Sequence, residues 1–203
     1  MRAEASEALG ETPDTRGAAV LVLHEDGADS VGVLAAGLCA AGFAVELHAL
    51  SPEALQADRL ALSEIDARLA ALARRPGVDR ERLGVLGFGR GGTLAFLLGC
   101  TRSVAAVVDV DGPVLYPALS PARPIQPLEL ALNLEGAFLG LFRVHGVGVE
   151  ELELLRARLG AAARPHELVL LPDALPGYDA TRAEELLLRV RAFLGEHLAA
   201  PRE

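Results

Sequence analysis

Short apolar runs alternate along the chain with longer stretches in which apolar residues recur every three or four positions. The runs at 18–24, 43–50, 83–86, 104–110, 137–142 and 167–171 have strand length, and most are apolar on both faces. Strands covered by helices from both sides read this way. Between them, 31–41, 59–75, 93–98, 128–134, 149–163 and 181–199 read as helices. In the second of these Leu62, Ile65, Leu69 and Leu72 share one face, and Pro76-Gly77 stops it. In the last, Thr181 and Glu184 have capping-box spacing, while Leu187, Val190, Leu194 and Leu198 form the apolar stripe. Six strands separated mostly by helices predict an α/β fold. It should be three layers, with a mostly parallel sheet of about six strands and helices on both faces. Residues 17–203 form its single domain, and 1–16 are expected to be a flexible N-terminal arm.

Two stretches interrupt the alternation. Residues 113–127 carry Pro113, Pro117, Pro121, Pro124 and Pro127, which excludes a central strand or a long helix. They are expected to be an ordered loop beside the mouth of a pocket, with a flexible linker as the alternative. The other stretch is the turn after the third strand, where Gly87, Gly89, Gly91 and Gly92 precede an apolar helix. Such a strand-to-helix turn aims the first N–H groups of the helix at whatever lies above the sheet.

Composition narrows the partners. Of 203 residues, 51% are hydrophobic and 23% charged, which describes a water-soluble globular chain. The formal net charge of −9 argues against nucleic acid or an anionic membrane surface, because both reward clustered Lys and Arg. No apolar run reaches the roughly 18 residues a membrane span needs. The acidic, polar N-terminus does not read as a signal peptide, and a cytoplasmic setting is expected. Cys39 and Cys100 are expected to be buried, acting as small hydrophobes rather than as a disulfide or metal pair. His48, His166 and His197 are scattered over separate elements, so neither a metal nor any other cofactor is expected.

In parallel sheets of this kind, ligands bind beyond the carboxyl ends of the strands. Here those positions are Glu25 and Asp26, Gly89 and Arg90, Asp111, His145, and the stretch from Asp173 to Tyr178. The chain resembles the dienelactone hydrolase family of α/β-hydrolases over roughly 18–198. The resemblance rests on Leu23-His24-Glu25, on Asp79-Arg80-Glu81-Arg82-Leu83-Gly84 and on Gly87-Phe88-Gly89-Arg90-Gly91-Gly92. It continues through Pro165-His166-Glu167-Leu168 and Gly177-Tyr178-Asp179.

That resemblance implies a Ser or Cys nucleophile in Gly-x-Ser/Cys-x-Gly-Gly, an Asp after the penultimate strand and a His after the last. The nucleophile attacks an ester or lactone carbonyl, the His carries the proton, and the Asp orients the His. This sequence has Gly89, Gly146 and Pro176 at the three positions, and none of them can do that chemistry. Other implied features remain. Glu25 matches a family glutamate beside the nucleophile, and the amides of Asp26 and Arg90 could still form an oxyanion hole. A buried Glu25 would have a raised pKa. The Arg90 side chain would add a positive charge for a carboxylate or phosphate, or else pair with Glu25 or solvent. His145, Asp111 and Tyr178 complete the candidate ligand-binding set, although Asp111 could instead cap its Gly-Pro turn.

Three functions fit these residues. The first is a family member without hydrolysis that binds a small anionic molecule, or a protein partner or second copy. The second is an active hydrolase with a site rearranged around Glu25, His145 or Asp111. The third is nucleotide binding. There Gly87-x-Gly89-x-x-Gly92 would be a dinucleotide fingerprint, and Asp109, at the end of the next strand, would take the ribose.

Overall fold

The computed structural model describes residues 14–25, 29–144, 146–171 and 180–199. Six strands form one parallel sheet: β1 (Ala19–His24), β2 (Ala44–Ala49), β3 (Leu83–Phe88), β4 (Ala106–Val110), β5 (Ala137–Arg143) and β6 (His166–Leu171). Their order across the sheet is β2-β1-β3-β4-β5-β6. The six-stranded parallel sheet expected from the alternation is therefore present, with every described pairing parallel.

Helices cover both faces. On one side, α1 (Asp29–Ala40) and α6 (Ala180–His197) pack Leu34, Leu38, Val190 and Leu194 against Val20, Val22, Val108 and Leu139. On the other lie α2 (Pro52–Gln56), α3 (Asp58–Leu72), α4 (Arg90–Gly99), α5 (Val149–Ala161) and a 3-10 helix over Pro127–Asn133. They bury Ile65, Leu69, Leu94, Leu98 and Leu155 against Leu21, Leu23, Val85 and Phe138. The strands β1, β3, β4 and β5 send residues to both clusters, which is why they read as nearly continuous apolar runs. No described helix is long and apolar enough to cross a membrane.

Local differences from the sequence expectations have physical reasons. The short helix α2 was not expected. Ser51 caps it, its hydroxyl accepting the Ala54 amide, and Pro52 fits the first helical position. The segment expected as a helix over 128–134 is a 3-10 turn entered from Pro127. Asp14 to Arg16 are not loose. The Thr15 hydroxyl donates to the Ala41 carbonyl at 2.6 Å, and the Arg82 guanidinium donates to the carbonyls of Asp14 and Arg16. Cys39 was expected to be buried and is exposed, because the apolar stripe of α1 runs through Val31, Leu34 and Leu38 and leaves position 39 outside it. Cys100 is buried, and burial pushes its thiol up to about 12. The Pro-rich stretch is an ordered loop, in which Val114 and Tyr116 are buried and Gln126 brackets the Tyr116 backbone through both its amide groups.

All six strands run the same way, so their carboxyl ends meet along one rim. The chain leaves β1 toward β2 on one side and returns through β3 on the other, which opens a crevice between β1 and β3. Under that rim lies Asp109, which is completely buried. Its Oδ1 accepts the Gly112 amide at 2.7 Å, while Oδ2 has no partner among the described residues. It therefore cannot reach a ribose, which removes the residue on which the dinucleotide reading relied. Burial holds its carboxyl well above the usual carboxylate range, the Gly112 amide acts in the opposite direction, and the Asp111 charge adds to the rise.

A carboxyl with a raised folded pKa binds its proton more tightly when folded. The native state therefore loses stability as pH climbs from the unfolded value near 3.8 toward the folded one. Asp109→Asn keeps an acceptor for Gly112 and cannot ionise. Relative to the parent, its stability in urea unfolding should be level with pH below that unfolded value and improve steadily above it. A difference that stays flat across the range would show that Asp109 titrates alike in both states.

Candidate functional site

The site is built on the turn from β3 into α4. Gly89 caps α4 with φ 53° and ψ −121°, a conformation that residues with a side chain adopt only under strain. Its amide donates to the Val110 carbonyl, and its carbonyl accepts the amides of Gly92 and Thr93. The hydrogen-bond ladder of α4 begins with those two bonds, so the amides of Arg90 and Gly91 lie ahead of it, at the positive end of the helix.

The helix can begin here because its first turn lies almost against the strand ends. A Cβ on Gly91 would come within 2.7 Å of the Leu23 carbonyl oxygen, and one on Gly92 within 2.0 Å of Asp109 Oδ1. Above Gly89 the situation is the reverse. A Cβ there would have one described neighbour within van der Waals range, Glu25 Oε1 at 3.5 Å. Among the described residues, the raised position of the turn has room for a side chain, and it carries none.

Glu25 thus stands beside the turn, as the sequence implied, but it is exposed rather than buried. Gly146 follows β5, and its position is in ordinary van der Waals contact with its surroundings. A Cβ there would lie 3.4 Å from the Arg143 carbonyl oxygen and 3.6 Å from Asp111 Oδ1. Asp111 adopts φ 58°, and its carboxylate takes the Arg143 amide at 2.7 Å and Arg143 Nε at 2.6 Å. The Asp111 carboxylate thus comes from the end of β4 to the side of the Gly146 position. It binds the end of β5 rather than capping its own turn. Asp26, His145, Pro176 and Tyr178 lie outside the described residues.

Arg90 differs most from expectation. Its guanidinium points neither to Glu25 nor to solvent but pairs with Asp58 at the start of α3, both side chains being about nine-tenths buried. It also donates to the Tyr116 hydroxyl at 2.5 Å, and that hydroxyl lies 3.1 Å from the same Asp58 oxygen. Arg90 and Arg123 both lie over the Tyr116 ring, at 5.3 and 5.4 Å from its centre. Burial works against the Arg90 charge, but the bonds to Asp58 and Tyr116 outweigh it and raise its pKa. Burial also pushes the Tyr116 hydroxyl up to about 12, with Arg90 opposing, so the phenol stays protonated. This cluster fastens the first residue of α4 to α3 and to the Pro-rich loop. The guanidinium is a strut of the rim, and the part of Arg90 left for a ligand is its amide. Asp58, Tyr116 and Arg123 carry no local motif, since their contacts span from 26 to 68 positions.

A strand, a tight glycine turn with its raised residue at positive φ, and a helix aimed over a β1–β3 crevice make the frame of a hydrolase elbow. The family model described as "Dienelactone hydrolase family" matches residues 39–198. The chain belongs to the dienelactone hydrolase family. Among curated relatives, a putative carboxymethylenebutenolidase of Escherichia coli K12 is 31% identical over 139 residues, covering 63% of this chain and 51% of the relative. A probable 2-oxo-3-(5-oxofuran-2-ylidene)propanoate lactonase of Bradyrhizobium is 35% identical over 72 residues, covering 36% of this chain and 29% of that protein. The chain spans about half the length of the carboxymethylenebutenolidase relatives and less of the lactonase. Among solved structures, a putative dienelactone hydrolase from Klebsiella pneumoniae superposes with a TM-score of 0.75 at 22% identity. That match covers 92% of this chain and 89% of the other, and it establishes the α/β-hydrolase-like fold.

Two substitutions test this geometry. Gly89→Ser should fold but lose about 1–3 kcal/mol in urea unfolding, the range for a side chain held in such backbone. An unchanged midpoint would place Gly89 off the elbow. Asp58→Ala leaves a buried guanidinium unpaired and should cost about 3–5 kcal/mol. Replacing both charges, as Asp58→Leu with Arg90→Met, should recover most of that loss.

Proposed function

We propose that this member of the dienelactone hydrolase family does not hydrolyse esters or lactones and instead holds a small anion over the empty elbow. The observation that carries this reading is Gly89. It keeps the elbow conformation with Glu25 Oε1 as the one described neighbour in front of it, and it has no atom with which to attack a carbonyl. Covalent catalysis of the family's kind needs such an atom first. The amides of Arg90 and Gly91, ahead of the α4 ladder, supply oriented donors at the positive end of a helix, which suits a carboxylate or phosphate oxygen. The Arg90 guanidinium belongs to the Asp58 pair, so selectivity in this reading comes from backbone donors. The neighbouring Glu25 carboxylate opposes an anion and keeps its affinity modest.

A second reading has its own observation. Glu25 Oε1, the one described neighbour of the Gly89 Cβ position, would let a water stand in front of Gly89 and take its proton. The Asp111 carboxylate beside Gly146 would then be a fixed charge within the same rim. This would be a hydrolase without a covalent intermediate.

The two readings separate in one set of measurements. In the first, p-nitrophenyl acetate and simple lactones turn over no faster than on a generic protein surface. Acetate, benzoate and inorganic phosphate each raise the melting temperature, and Glu25→Gln enlarges that shift by removing the opposing charge. Turnover that survives purification and vanishes in Glu25→Gln would instead establish the second reading. Absence of any anion-dependent shift in both proteins would remove the first.

A further inference from the structure

The two edges of the sheet are treated differently. On β2, Glu46 pairs with Arg75, and His48 Nε2 lies 2.7 Å from Glu64 Oε1, so charged groups reaching over from α3 and the turn after it guard that edge. On β6 the stretch Leu168-Val169-Leu170-Leu171 has no charge, no proline and no bulge. Its residues are nevertheless only partly covered, and Leu170 is 46% exposed. The nearest charge, Glu167, lies at the start of the strand, 4.0 Å from Arg189. A strand apolar on both faces belongs inside a sheet. Among the described residues, β6 pairs with β5 on one side only.

The hydrogen bonds to β5 fix which groups face outward. The Phe138 amide donates to the Pro165 carbonyl and the Val144 amide to the Leu171 carbonyl, so the odd-numbered residues of β6 point their backbone groups inward. By alternation, His166, Leu168 and Leu170 present N–H and C=O to the free edge.

We infer that β6 is the interface between two copies of this chain, joined antiparallel across a two-fold axis at Val169 into one continuous sheet of twelve strands. In that register Leu168 of each copy exchanges both backbone hydrogen bonds with Leu170 of the other. Glu167 then faces Leu171 and not its own copy, so the pairing is isologous and free of like-charge contact. With a net charge of −9 on each copy, approach is least opposed where the surface is neutral, and the Leu168–Leu171 edge is such a place.

Sedimentation equilibrium of the full chain should give a dimer. Leu170→Pro removes only an outward N–H and leaves the β5 ladder whole, and Leu170→Lys sets two charges across the axis. Both should sediment as monomers with the parent's far-ultraviolet dichroism. In hydrogen exchange, the Leu168 amide of the parent should become more protected as protein concentration rises. A parent that is monomeric throughout, or a dimer that survives both substitutions, would overturn the inference. Protection of Leu168 that ignores concentration would do the same, because the chain's own residues would then cover the edge.

Discussion

The structure depends on the near contact between the first turn of α4 and the ends of β1, β3 and β4. Glycine at 87, 91 and 92 lets backbone approach backbone. A Cβ on Gly87 would come within 2.0 Å of the Gly91 carbonyl oxygen, and one on Gly91 within 2.7 Å of Leu23. From that contact follow the crevice between β1 and β3, the burial of Asp109 under the helix start and the position of Arg90 at its first residue. Helix α4 is buried along nearly its whole length, so it is a central post of the fold as well as the floor of the site.

A post of this kind needs fastening at its upper end, and the Arg90–Asp58–Tyr116 cluster provides it. A buried ion pair gains little net stability, since desolvation offsets most of the attraction. What it supplies is geometry, because one guanidinium joins α4, α3 and the Pro-rich loop in a single arrangement. Asp111 and Arg143 do the same between the ends of β4 and β5. The rim is therefore held by charged side chains and the sheet beneath it by apolar ones. Charges that a sequence offers as ligands are here consumed as struts.

That division explains what could be read in the sequence. The sheet, its parallel sense and the five long helices were legible, because periodicity and glycine placement are local properties of the chain. The elbow was legible for the same reason, and the family resemblance implied the proximity of Glu25 to it. The partner of Arg90 was not, since Asp58 lies 32 positions away and nothing in its neighbourhood marks it as buried. Nor was the inward turn of Asp111, which depends on a positive φ and on Arg143 from the next strand. Exposure of Cys39 depends on which face α1 packs, and its apolar neighbours in the sequence put it in the wrong environment.

The turn from β3 into α4 has a structural cause that needs no chemistry. If the turn existed only to raise a reactive side chain, loss of that side chain would leave a strained conformation with nothing to keep it. Glycine at 89 removes the strain, because positive φ suits it. The bonds from Gly89 to Val110, Gly92 and Thr93 still close the start of α4. Relaxing the turn would pull the helix off the strand ends and open the apolar layer formed by Leu94, Phe96, Leu97 and Leu98. The fold therefore retains the shape of the site, with its oriented amides, for the sake of its core. Any ligand that uses those amides takes advantage of a geometry that packing already maintains.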